Sequence, residues 1–413
     1  MSRFSNRITQ LLKQSSVLRA INASVKSRQL VRERASLVQH YATKAKAAGI
    51  TANPADIPRQ LAERLAARGI RVASLPARLR ILWIGADRNQ DVAGFLPALE
   101  RHAHVVPFHR ASGEYGVQLK SADGRTRQYD PAVVAANDAR LLDLVREHAE
   151  RDAPFDVVMG QMWAHTLSAG TLRQVQSQGV ITVNVSMDDR LPILWRTWHG
   201  YPQGSLGIKE GLDLILTTSP ECCVWYAVEG VPCLFWPLAS DPAVFAPAPE
   251  SDKCYDITFV GSRYGVREQV VDALIRGGVN VTAFGPGWPR GPVDADAVAD
   301  IFAKSRMILG IGTIAHTTDV YTIKLRDFDA TMAGAVYITH RNPDLLELFK
   351  EGEEILCYST LDELVRKVKQ CLADPDARAR IGKQARARAL QDHTWDTRFR
   401  VLMATLRGEA VGA

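Results

Sequence analysis

Apolar positions along the chain follow two different periods. Arg80-Ile-Leu-Trp-Ile84 is a continuous apolar run ending at Gly85, the pattern of a strand buried on both faces. Runs of the same kind recur near 104–108, 155–159, 180–184, 212–216, 232–236, 255–260, 279–284, 306–311 and 335–339. Helical spacing separates them at about 92–101, 141–151, 166–178, 219–228, 266–276 and 295–304. A further helix from about Leu325 closes on Ala333-Gly334, where glycine supplies the left-handed turn that ends a helix. Strand–helix alternation of this kind gives right-handed crossovers and a doubly wound α/β sheet. Residues 113–130 are polar and turn-rich, either a hairpin or a loop, and no internal repeat is visible.

At 413 residues the chain exceeds one ordinary core and fits two α/β domains. Pro237, Pro242 and Pro247 punctuate the segment 236–247 and bar it from a helix or central strand, so it marks the boundary. The expected division is a helical extension and linker over 1–78, a Rossmann-like domain over 79–240 and a hinge over 241–254. A second Rossmann-like domain over 255–390 and a C-terminal helix over 391–413 complete it.

Composition narrows the class. A chain 46% hydrophobic and 23% charged is globular, and no run of about 18 apolar residues offers a membrane span. The N-terminus lacks the apolar core of a signal peptide, and the six cysteines form no C-x-x-C pair. These features point to a reducing cytoplasm. The net charge of +6 is unevenly spread: residues 1–50 carry ten Lys or Arg against Glu33 alone, which leaves the rest at −3. A near-neutral body argues against nucleic acid as partner. In the basic leader Phe4, Ile8, Leu11, Leu12, Leu18, Ile21 and Val25 recur at helical spacing. Such a helix over residues 1–30 either binds the anionic inner face of a membrane or packs on the body or a partner subunit.

Candidate chemistry gathers in the second half. Arg326 and Asp329 sit on the first turns of the helix near 325, where nucleotides bind in open parallel sheets. An arginine fork matches phosphate oxygens, and a carboxylate one turn on accepts from a ribose diol. The alternative is a surface ion pair at helix spacing. Gly261, Ser262 and Arg263 lie between a strand and the helix carrying Arg267, where backbone amides and an arginine can meet a diphosphate. Gly312, Thr313, His316 and Lys324 follow another strand towards the same cleft; for His316 an ordinary loop role is the competing reading. In the first half, Asp188 and Asp189 end a strand and are candidates either for a general base or for capping the next segment. Trp163, His165, Trp195, Trp198 and His199 could stack on a sugar or simply pack. No dinucleotide fingerprint, Walker loop, zinc-protease or serine-hydrolase motif occurs.

The stretch Arg326, Phe328, Asp329, Ala330, Ala333, Gly334, Thr339, continued by Leu348, Phe349, Gly352, Glu354, Ile355 and Tyr358, resembles the C-terminal half of group-1 glycosyltransferases. The resemblance is strongest to the CgeB-like (spore-maturation) branch. Asp256–Ser262, the Asp241/Phe245/Pro247 hinge and the tail from Leu361 to Trp395 extend it over roughly 150–405. It implies a GT-B-like fold with two Rossmann-like domains facing a cleft, and transfer of a sugar from a nucleotide-sugar to a hydroxyl acceptor. No metal or other cofactor is required in such a mechanism, because arginines, lysines and helix dipoles stabilise the departing diphosphate. The implied acceptor is a cell-envelope or lipid-linked glycan. The family's nucleotide-binding glutamate falls on Asp329, and Tyr321 stands where many relatives carry a second. A sugar-nucleotide epimerase and a non-catalytic nucleotide-sugar-binding protein therefore stay open as alternatives.

Overall fold

A computed structural model describes residues 16–85, 94–108, 131–198, 201–314, 317 and 319–410. Two all-parallel sheets organise it. The first orders its strands β2-β1-β3-β4-β7-β8: β1 (Arg80–Ile84), β2 (His104–Pro107), β3 (Val157–Gly160), β4 (Ile181–Ser186), β7 (Leu214–Thr217) and β8 (Cys233–Phe235). Between β4 and β7 lies a short antiparallel ribbon of β5 (Thr197–Trp198) and β6 (Tyr201–Pro202). Two residues per strand leave no periodicity to read, and the ribbon was not expected from the sequence. The apolar runs pack on both faces. Ile81 and Trp83 join one core, whereas Leu82 and Ile84 join another on the opposite side.

The chain enters through α1 (Ser16–Ala48) and α2 (Ile57–Ala66). Helix α1 runs well beyond the amphipathic leader, and Tyr41 is buried against Trp195 and Trp225. The described part of α1 therefore packs on the first sheet's helices through Leu37, Tyr41 and Ala45. Crossovers of the first sheet are α3 (Phe95–His102), α4 (Pro131–Glu150), α5 (Ala169–Ser177) and α6 (Pro220–Val228). Helix α4 covers the expected 141–150 and also the ten described residues before it. The turn-rich residues 113–130 lie outside the described residues.

The second sheet is ordered β10-β9-β11-β12-β13, from β9 (Tyr255–Val260), β10 (Val281–Phe284), β11 (Ser305–Leu309), β12 (Val336–His340) and β13 (Leu356–Tyr358). Its helices are α7 (Arg267–Arg276), α8 (Ala295–Ala303), α9 (Leu325–Met332), α10 (Pro343–Leu346), α11 (Leu361–Ala373) and α12 (Pro375–Asp392). After Met332 the chain turns at Gly334, with φ 69°, and enters β12. The sheet order reverses between β9 and β11, and this switch point is where a doubly wound sheet opens a crevice at its carboxyl edge.

The last helix, α13 (Trp395–Leu406), returns to the first unit. Trp395 and Phe399 are buried with Phe95 and Trp236, and Asp396 pairs with Arg101 at 2.8 Å. The two chain crossings touch: Ser240 donates its amide to His393 (3.1 Å), and Trp395 donates to Ser240 (3.2 Å). In the proline-rich crossing, buried Asp241 accepts from Arg101 and from the Ala243 amide. Among the described residues no helix is long and apolar enough to cross a membrane.

Candidate functional site

The chain leaves β9 at Val260 and turns sharply at Gly261, with φ 153°. A side chain there would collide with Arg326, whose Nη2 would sit 2.7 Å from a Cβ, and would crowd Arg267. Glycine is favoured because φ lies where side-chain-bearing residues rarely sit, and two arginines converge on the same backbone. Arg326, on the first turn of α9, donates to the Val260 carbonyl and lies 4.8 Å from the Phe259 ring. Arg267, opening α7, donates to the Ser262 carbonyl (2.9 Å) and lies 5.6 Å from the same ring and 4.2 Å from Tyr264. Burial pulls the Arg267 guanidinium down to about 10, with Tyr264 and Asp188 opposing and Arg326 adding to the shift. Among the described residues neither guanidinium has a carboxylate within ion-pair distance. Two like charges are thus held near one another by carbonyls and rings, an arrangement whose repulsion an anion would relieve.

Arg326 borders a cavity of about 540 Å³ at the carboxyl edge of the second sheet, whereas Arg267 is not part of its wall. Gly261, Ser262, Arg326 and Asp329 form its polar wall, while Phe245, Pro286, Val293 and Phe302 belong to its apolar side. Asp329, one turn beyond Arg326, is buried, and burial drives its carboxyl well above the usual carboxylate range despite Ser240 and Arg326 nearby. Asp327 points elsewhere. It accepts from the Lys324 amide at 2.7 Å and from the Tyr337 hydroxyl, fixing the start of α9.

Burial pushes the Asp327 carboxyl up to about 6 from its usual 3.8. The folded state thus holds this proton more tightly than the unfolded chain. Its contribution is full below about pH 4 and is lost as pH rises through 6. Asp327→Asn removes that dependence. Wild-type unfolding free energy should fall relative to the variant by about 2–3 kcal/mol between pH 4 and 7 in urea titrations. Parallel profiles would contradict the assignment.

Other candidates separate. Arg263 pairs with Glu268 at 2.5 Å, lies over Trp288 and is not part of the cavity wall. Gly312 approaches the Thr322 carbonyl and His340 closely, and Thr313 bridges to Tyr321. These two shape the loop into α9. His316 and His199 lie outside the described residues. Glu354 pairs with Arg388 of α12 at 3.4 Å, and Tyr358 is buried. Trp163 stacks on His165, and Trp195 is buried in the core. No trio of His, Cys, Asp or Glu gathers among the described residues to hold a metal.

The adjacent aspartates part company. Asp189 is fully buried and accepts from Ser186 (2.5 Å), Thr217 (2.6 Å) and Tyr226 (3.0 Å). Burial raises its carboxyl, with those three hydroxyls opposing. Its lone pairs are spent inside the first domain, which corrects the expectation that Asp189 reaches an acceptor. Asp188 turns outward with φ 59°, a left-handed backbone, and meets Lys324 of the second domain at 2.8 Å. Arg190 escaped the sequence reading. Its side chain crosses to the second domain, reaching Asp344 at 2.5 Å and the Tyr321 carbonyl at 2.9 Å, while gripping Glu221 at 3.0 Å. An Asp-Asp-Arg triplet carries no periodic signal that could have announced this.

Residues 267–404 match the glycosyl transferase-like family. No curated protein matches the chain. Among solved structures, sucrose-phosphate synthase from Thermosynechococcus elongatus superposes with a TM-score of 0.52 at 15% identity, covering 79% of this chain and 100% of that one. HepE from Anabaena, solved with UDP and glucose, gives 0.53 at 14% identity, over 80% of this chain and 99% of that chain. An alpha-glucosyltransferase solved with UDP-glucose and DNA gives 0.54 at 10% identity, with 80% and 99% covered. Identities this low speak for the fold. The chain has the two-domain GT-B fold of these glycosyltransferases, and over residues 267–404 it matches the glycosyl transferase-like family.

Proposed function

We propose that this protein transfers a glycosyl group from a nucleoside diphosphate sugar to a hydroxyl acceptor. One observation carries the reading: Arg267 and Arg326, without carboxylate partners among the described residues, meet at the Gly261 turn on the sheet's switch point. As the glycosidic bond to the diphosphate breaks, negative charge builds on the departing oxygen, and two fixed guanidiniums stabilise it. Asp329 holds the ribose, and the apolar wall takes the base. The UDP and UDP-glucose bound by HepE and the UDP-glucose of the alpha-glucosyltransferase support a nucleotide-sugar as donor. The hinge at 241–254 allows the first domain, with the acceptor, to close on the donor. The CgeB-like resemblance and the basic leader favour a cell-envelope or lipid-linked glycan, reached from the cytoplasm at a membrane surface.

Calorimetric titration with UDP, GDP and dTDP, followed by a transfer assay on a glycan array, tests the reading. Saturable binding of a nucleoside diphosphate and sugar transfer only with acceptor present are expected. Donor conversion without acceptor would instead indicate an epimerase. Asp329→Glu adds one methylene on the wall of an open cavity. The variant should stay folded and bind the nucleotide at least as well as wild type, as read by calorimetry and circular dichroism. Loss of folding would make Asp329 a structural residue.

A further inference from the structure

The triplet Asp188-Asp189-Arg190 joins the domains in an unusual way. Its middle residue is locked into the first domain's core by three hydroxyls, while its outer residues both reach the second domain. Asp188 is thereby held in a left-handed conformation, which aspartate and asparagine tolerate better than most residues. Its carboxylate meets the ammonium of Lys324. Lys324 immediately precedes Leu325 and Arg326, which line the cavity, and Asp188 also bears electrostatically on Arg267. One carboxylate from the opposite domain therefore faces the cationic edge of the anion site.

We infer that Asp188 is a positioning residue: it neutralises Lys324 until the donor arrives and then surrenders it to the donor's diphosphate. This rests on the donor reading above. A diphosphate brought to Arg267 and Arg326 attracts Lys324 and repels Asp188, so donor binding and the Asp188–Lys324 contact exclude each other. Donor arrival then breaks one tie between the domains while Arg190 keeps its own. Charge on the nucleotide becomes a signal that loosens the joint beside the cleft. Lys324 carries a flexible stem and a compact charge, suited to swing between two anions.

The test is calorimetry with UDP and with inorganic pyrophosphate on wild type, Asp188→Asn, Asp188→Glu, Lys324→Met and the Asp188→Asn/Lys324→Met double variant. Asparagine retains the left-handed backbone and removes the charge. For a half-exposed pair, Asp188→Asn should bind both probes about two- to fivefold more tightly. Asp188→Glu should restore wild-type affinity, and the gain should vanish in the Lys324→Met background. Unchanged or weaker binding by Asp188→Asn, or an equal gain without Lys324, would overturn the inference and leave the donor reading standing. If wild type bound neither probe, the donor reading and this inference would fall together.

Discussion

Arg326→Ala is expected to weaken nucleoside diphosphate binding by about 10- to 150-fold, since a charged hydrogen-bonded contact contributes about 1.5–3 kcal/mol. Transfer should drop below detection. The guanidinium rests on the Phe259 ring and is tied to the Val260 carbonyl, so its position is fixed before any ligand arrives. Little of its binding energy is then spent on ordering. Arg326→Lys separates charge from shape: an ammonium keeps the attraction but not the fork, and an intermediate loss should follow. Circular dichroism should report a folded chain in both variants. Wild-type affinity in folded Arg326→Ala would remove this arginine from the site.

The second large effect concerns stability. Arg190 is 5% exposed and serves three acceptors from two domains, while Glu221 is also held by Arg34 of α1 at 2.6 Å. Arg190→Ala leaves Asp344, whose carboxyl burial already raises, facing no cation at that contact. It also strips the Tyr321 carbonyl of its donor. Breaking a buried pair costs about 3–5 kcal/mol, and the partial exposure of Glu221 and Asp344 lowers the expectation to about 2–4 kcal/mol. Urea unfolding should move to lower denaturant by that amount. A change within about 0.5 kcal/mol would mean that the two domains are joined by other contacts.

Much of this architecture was legible because parallel strands buried on both faces leave continuous apolar runs. Ile81 to Ile84 and Tyr255 to Val260 emerge where those runs stand. The helix at Leu325 and its stop at Gly334 were legible for a local reason, since a left-handed turn after an amphipathic segment is written in the sequence. What escaped is non-local. Asp188 and Asp189 look alike in sequence, yet hydroxyls 28 and 37 residues downstream bury one, and a lysine 136 residues downstream attracts the other. Arg263 appeared a phosphate ligand by its place after Gly261, but Glu268 five residues on captures it. Arg267, a candidate from its place at the start of α7, instead stands near Arg326 at the Gly261 turn. That meeting brings α7 and α9 together, a tertiary fact that no spacing expresses.

The central claim is that an anion binds where Arg267 and Arg326 meet. A crystal structure of the protein soaked with UDP tests it most directly. The account predicts phosphate oxygens within hydrogen-bonding distance of the Arg326 guanidinium and the Gly261–Ser262 backbone, with the ribose against Asp329. A nucleotide seated elsewhere, with both arginines still bound only to the Val260 and Ser262 carbonyls, would contradict it.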